Sequence, residues 1–180
     1  MPSAFSNPRE SRAPGCSLDT VVVEPDTQSL IESDIEPRWG QLLRTWEALA
    51  EAKGRCPSKS EVDPMALGSR LLPNVFLVDV VPMPARKRPR FRFRLLGQDI
   101  LDRTVTRAGD YLDALGATTE VAKIERHYVA AMEGRIAIRE TNMAWSDPDK
   151  DYQTYSVLVL PLSDDGARVT HLIGLAIYAP

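Results

Sequence analysis

Three apolar, β-rich segments close the chain with no helical pattern between them: Arg135 to Trp145, Tyr152 to Leu162 and Val169 to Tyr178. Asp164-Asp165-Gly166 separates the last two, and Asp and Gly tolerate the positive φ that a hairpin turn requires. Two earlier segments also read as strands, Asn74 to Val81 and Phe91 to Leu96, joined by a Pro-rich connection from Pro82 to Pro89. Between the two sets lie short helical fragments broken by Gly109 and Gly116, then a helix over Ala117 to Glu133. Val121, Ile124, Tyr128, Ala131 and Met132 share one face of that helix, and Gly134 supplies its stop. The order is strands, helix, strands rather than a βαβ alternation. A doubly wound parallel sheet is therefore disfavoured, and an α+β fold is expected.

The 180 residues fit one domain. Residues 1–33 are rich in Ser, Pro, Asp and Glu and lack a sustained hydrophobic period, so they read as a disordered tail before a domain over 34–180. From Asp34 the pattern changes. Trp39, Leu42, Leu43, Trp46, Leu49 and Ala50 recur at three- and four-residue steps, the stripe of an amphipathic helix over about 36–53 that ends near Gly54. That stripe either packs on its own sheet or pairs two copies of the chain. The expectation favours a homodimer through Trp39, Leu42, Leu43, Trp46 and Leu49, because two tryptophans are a large area to hide. After the helix, Asp63 is placed to cap a short helix whose first position is Pro64.

Beyond this pattern, several residues in order carry a likeness: Trp46; Pro57-Ser58 followed by Asp63-Pro64; Leu71-Leu72-Pro73; Phe76-Leu77-Val78-Asp79; Phe91-Arg92-Phe93-Arg94-Leu95-Leu96-Gly97; Gly109; and Pro161-Leu162-Ser163 before Asp165-Gly166. Over roughly residues 38–178 the chain resembles a PAS-like family of small proteins common in alphaproteobacteria. Gln98 departs from it, standing where a small residue such as Thr is expected. The resemblance implies a five-stranded antiparallel sheet with helices on one face, a leading helix that often pairs, and use in sensing or protein contact. It brings no catalytic residues and no common ligand. The expected function is a sensory or regulatory domain that binds a small molecule or a partner protein noncovalently. Phe91, Phe93, Val121, Ile124 and Tyr128 are the pocket candidates between sheet and helix. The alternatives are a protein-interaction module with a filled core and an anionic-partner or nucleic-acid binder. Output is expected to pass through a partner signalling protein that the sequence does not name.

Other chemistries find little footing. GxSxG, Walker, GxGxxG and HExxH motifs are missing, and Ser156 and Ser163 have no identifiable His and Asp partners, so an enzyme is not expected. Asp147-Pro148-Asp149-Lys150-Asp151 starts like a calcium loop, but Tyr152 and Leu158 occupy the positions that need Gly and Glu. His127 falls near the border of the helix's apolar face and reads as partly exposed, and His171 has no ligand neighbours at metal spacing. No metal is expected, and the sequence does not say which cofactor, if any, is bound. Cys16 and Cys56 lack a CxxC or a nearby Cys/His pair and read as reduced thiols. A net charge of −3 gives no global drive toward nucleic acid, the apolar runs are too short for a membrane helix, and no signal-peptide core is present. A cytoplasmic location is expected. One dense charge feature remains, the candidate surface for an anionic partner: Arg86, Lys87, Arg88, Arg90, Arg92 and Arg94, six basic residues in nine. Alternation puts Arg90, Arg92 and Arg94 opposite Phe91 and Phe93, so the phenylalanines read as core and the ribbon as an exposed face that contributes little to folding.

Overall fold

The computed structural model describes residues 21–23, 37–116, 118–133, 136–142 and 154–178. The chain is α+β. Its sheet contains β1 (Val21–Val23), β2 (Val75–Val81), β3 (Arg90–Leu96), β4 (Ile136–Asn142), β5 (Thr154–Leu162) and β6 (His171–Tyr178). Its helices are α1 (Pro37–Lys53), α2 (Gln98–Arg103) and α3 (Thr119–Met132), with single 3-10 turns at Pro64–Leu67, Leu72–Asn74 and Leu112–Leu115. Spatial order in the sheet is β1-β4-β5-β6-β2-β3. Four of the five pairings are antiparallel, and β1 joins β4 in parallel.

Two expectations change here. The sheet has six strands rather than five, because Val21–Val23, inside the segment read as a tail, adds an edge strand opposite Ile136, Ala137 and Ile138. The rest of residues 1–33 lies outside the described residues, as does the Asp147 to Asp151 segment. The second change concerns the faces. Tyr155, Val157, Ala176 and Tyr178 point toward α3 and share a cavity with Ile124 and Tyr128. Their alternating neighbours Leu158, Leu160, Leu162, Ile173 and Leu175 are no more than 1% exposed. A strand buried on both sides needs cover on both sides. Helices confined to one face do not account for it.

The second cover is α1 together with the chain from Cys56 to Leu71. Trp39, Leu42 and Trp46 are 3%, 0% and 0% exposed in the single chain. The Trp46 indole Nε1–H donates to the Pro161 carbonyl at 2.8 Å. Cys56 Sγ lies 3.3 Å from the same oxygen, and Ser163 N–H donates to the Pro57 carbonyl at 2.8 Å. These contacts place the α1 stripe in its own chain's core: of the five residues expected at a homodimer interface, Trp39, Leu42 and Trp46 are buried, and Leu43 and Leu49 are half-buried against them. The reason is local: β5 presents a continuous apolar run whose outer face would otherwise be wet. Cys56 is disulfide-bonded, which corrects the reduced-thiol reading and removes the redox argument for a reducing compartment. Cys16, the other cysteine of the sequence, lies outside the described residues.

Local signals explain the connections. Asp63 caps the turn that Pro64 begins, its carboxylate accepting from Met65 N–H at 2.9 Å. The chain from Leu162 to His171 turns at Gly166, whose φ is 71°, while the Asp165 carboxylate accepts from the Ala167 and Arg168 N–H groups. Gly97 has an ordinary φ of −66°, so its constraint is space: a Cβ there would run into the Pro73 backbone. Its N–H donates to the Val75 carbonyl at 2.8 Å, tying the end of β3 to the start of β2. Among the described residues no helix is long and apolar enough to cross a membrane.

Candidate functional site

Two hollows lie along α3, one on each side of Tyr128. The first is a cavity of about 40 Å³ between α3 and the sheet, lined by Phe76, Phe93, Ile124, Tyr128, Tyr155 and Tyr178 among others. The second is a groove of about 320 Å³ at the N-terminal end of α3, with Phe91, Leu112 and Val121 below and Arg86, Arg88 and Arg90 at its edge. Tyr128 lines the cavity and packs against Phe91, which lines the groove. Its ring lies 6.1 Å from Phe76, on the cavity side, and 5.4 Å from Phe91, on the groove side and edge-on. The five pocket candidates therefore divide: Phe93, Ile124 and Tyr128 line the cavity, whereas Phe91 and Val121 line the groove.

Cavity polarity comes from residues that sequence reasoning missed or misplaced. Thr106 is 1% exposed, and its hydroxyl has no hydrogen-bond partner among the described residues. His127 is 4% exposed and lines the cavity, which corrects its reading as a border residue. The buried arc of α3 runs from Val121 and Ile124 through His127 to Ala130, about half the helix circumference. A narrow amphipathic stripe underestimates a helix that is sunk into its sheet. At the far wall Tyr155 and Tyr178 pack at 5.3 Å between ring centroids. Burial, with the Tyr155 hydroxyl beside it, pushes the Tyr178 phenol far above its usual range, so it stays neutral. Gly174 faces this space under the Phe76 ring, where any Cβ would collide with that ring.

The basic ribbon is resolved into two ion-pair systems rather than one exposed face. Arg92 and Arg94 turn to Asp79, a β2 carboxylate 5% exposed; Arg92 donates at 2.7 and 3.0 Å, and Arg94 at 2.5 Å. Burial raises the Asp79 carboxyl, but the Arg94 and Arg92 guanidinium groups outweigh it and hold the value below the usual range. His171 joins the cluster, 3.4 Å from Asp79 and 3.3 Å from Asp164, with burial lowering its value against the pull of Asp164. Arg90 instead donates to Asp113 at 2.6 and 2.8 Å and lies over the Tyr111 ring at 3.8 Å. Arg86 also reaches Asp113, at 3.3 Å. Lys87 and Arg88 are exposed and make no hydrogen bond or ion pair with a described residue. The expectation of one exposed basic face is thereby corrected: Arg90, Arg92 and Arg94 are each paired with a carboxylate. Period-two alternation finds the face a strand residue occupies and is blind to a carboxylate on the neighbouring strand.

Among the described residues no group of three or more His, Cys, Asp and Glu side chains is placed to hold a metal ion. Comparison with protein-family models, curated proteins and solved structures finds no match to this chain. Both hollows bring hydrogen-bonding groups to apolar walls, an arrangement suited to holding a molecule.

Proposed function

We propose that the chain is a PAS-like regulatory domain that acts by noncovalent binding in the cavity between α3 and the sheet. The observation that carries this reading is the Thr106 hydroxyl, buried and without a hydrogen-bond partner among the described residues, in the lining of a mostly apolar and aromatic cavity. An unsatisfied buried hydroxyl costs about 1–3 kcal/mol, and a bound molecule that accepts or donates there recovers it. A largely antiparallel sheet with a 14-residue helix, α3, packed beside this space also supports the PAS-like reading. Size limits the occupant. A cavity of about 40 Å³ has room for two or three waters or a ligand of a few heavy atoms, well below the roughly 300 Å³ of a drug-sized site. A flavin or haem does not fit without displacing the tyrosine walls.

That small volume also favours a second reading, an interaction module whose core is filled and whose signal is carried by its surface. Native mass spectrometry and an absorption spectrum of the gently purified full chain distinguish the two. A retained small molecule, released on unfolding, is expected for the sensor. The bare chain mass, with no added species that saturates the cavity resonances, is expected for the module.

A further inference from the structure

We propose that the groove at the N-terminal end of α3 is a second binding site, for a small amphipathic anion: a carboxylate or phosphate head carrying an apolar group. This goes beyond the cavity reading and uses different residues. Volume is the first argument. At about 320 Å³ the groove is eight times the cavity and falls within the range of sites that hold small molecules.

Chemistry is the second. Phe91, Leu112 and Val121 are no more than 6% exposed, yet all three line the groove, giving an apolar floor below a charged edge. At that edge Asp113 bridges Arg90 and Arg86, so these two guanidinium groups are held in place in the absence of any ligand. Arg90 is spent on Asp113 and Tyr111. Arg86 offers Asp113 a single N–H, Nη1, and its other donors remain for an incoming oxyanion. Arg88 adds a second guanidinium that no described carboxylate neutralises. Glu125 is the groove's other carboxylate; it lies one turn beyond Val121 on α3, so a head group is directed to the Arg86 and Arg88 end.

Geometry also separates this ligand from a polymer. Nucleic acid needs a basic track that follows successive phosphates. Here Arg92 and Arg94, which would extend the track along β3, are turned to Asp79, and Arg86 and Arg88 are left at one pocket. A single head with an apolar body fits that charge and floor better than a repeating backbone.

The test titrates the full chain with octanoate and octyl phosphate as probes, with octanol and inorganic phosphate as controls, followed by amide chemical shifts at low salt. The two anionic amphiphiles are expected to saturate and to shift residues around Phe91, Asp113 and Val121, with the controls at least about tenfold weaker. Comparing the carboxylate with the phosphate tells which head the site prefers. Arg86→Gln with Arg88→Gln should weaken the amphiphiles about tenfold or more at unchanged melting temperature. Ala122→Trp, at an exposed position on the groove wall, should block them without touching the charges. Octanol binding as tightly as octanoate, affinity unchanged in both variants, or shifts confined to the Thr106 cavity would overturn the proposal. So would an oligonucleotide that binds more tightly than either amphiphile, with a steep salt dependence.

Discussion

Asp79 decides how much the basic ribbon matters. Replacing both Arg92 and Arg94 with Gln leaves a buried carboxylate with His171 as its one remaining basic neighbour among the described residues, and should destabilise by about 2 kcal/mol. That figure is below the cost of breaking a fully buried pair because the two guanidinium groups are themselves 41% and 44% exposed. Arg86→Gln with Arg88→Gln should stay within about 0.5 kcal/mol in the same urea melts, as ordinary surface changes do. On the opposite face of β3, Phe93 is 5% exposed and lines the cavity, so Phe93→Ala should cost about 3–5 kcal/mol. Equal costs for the two arginine pairs would remove Asp79 from the account. Acid behaviour has its own residue. Arg55, with the Ser58 backbone N–H, holds the Glu61 carboxyl at about 2 against an ordinary 4.5. The folded value lies below the unfolded one, so this stabilisation is complete above about 4.5 and is lost as pH falls toward about 2. Melts of Glu61→Gln against pH should therefore show a shallower decline over that window, and a parallel curve would mean that the Arg55 contact does not persist in solution.

At the scale of elements, α1 is the test of how the sheet's outer face is covered. Trp46→Phe keeps most of the buried area and removes the indole donor to the Pro161 carbonyl, a loss of about 1 kcal/mol plus the cavity left behind. Changing Trp39 and Trp46 together to Glu should unfold the domain by circular dichroism rather than give a folded monomer, since both rings are core within one chain. A folded double mutant would return α1 to an interface role. The elements themselves were largely legible: the α1 period, the Asp63-Pro64 start, the alternation of β3 and the Gly166 turn each state a local rule that the backbone obeys. Helix position was less so. The α1 stripe says that the helix hides one face and is silent on what hides it, because β5 buries both of its faces and reads only as a continuous apolar run. His127 and Thr106 were illegible for a similar reason. Their burial depends on how deeply α3 and the chain from Thr104 to Tyr111 sit on β3, a tertiary distance that no local period encodes.

For the molecule as a whole, the two hollows meet at the contact between Tyr128 of the cavity and Phe91 of the groove, with sensing proposed for the smaller and an anionic ligand for the larger. Gly174→Ala would force Phe76 into the cavity and should cost about 1–3 kcal/mol of stability, with occupancy of the cavity falling in step. The sensory reading requires that the space between α3 and the sheet hold a molecule. Ala176 lines that space at 4% exposure, and Val in its place fills part of it from the sheet side. Native mass spectrometry of the wild type beside Ala176→Val tests the claim most directly. The account predicts a noncovalently retained small molecule in the wild type that is absent from the variant, with both chains folded. A bare-chain mass for the wild type, or the same retained mass in both, would contradict it.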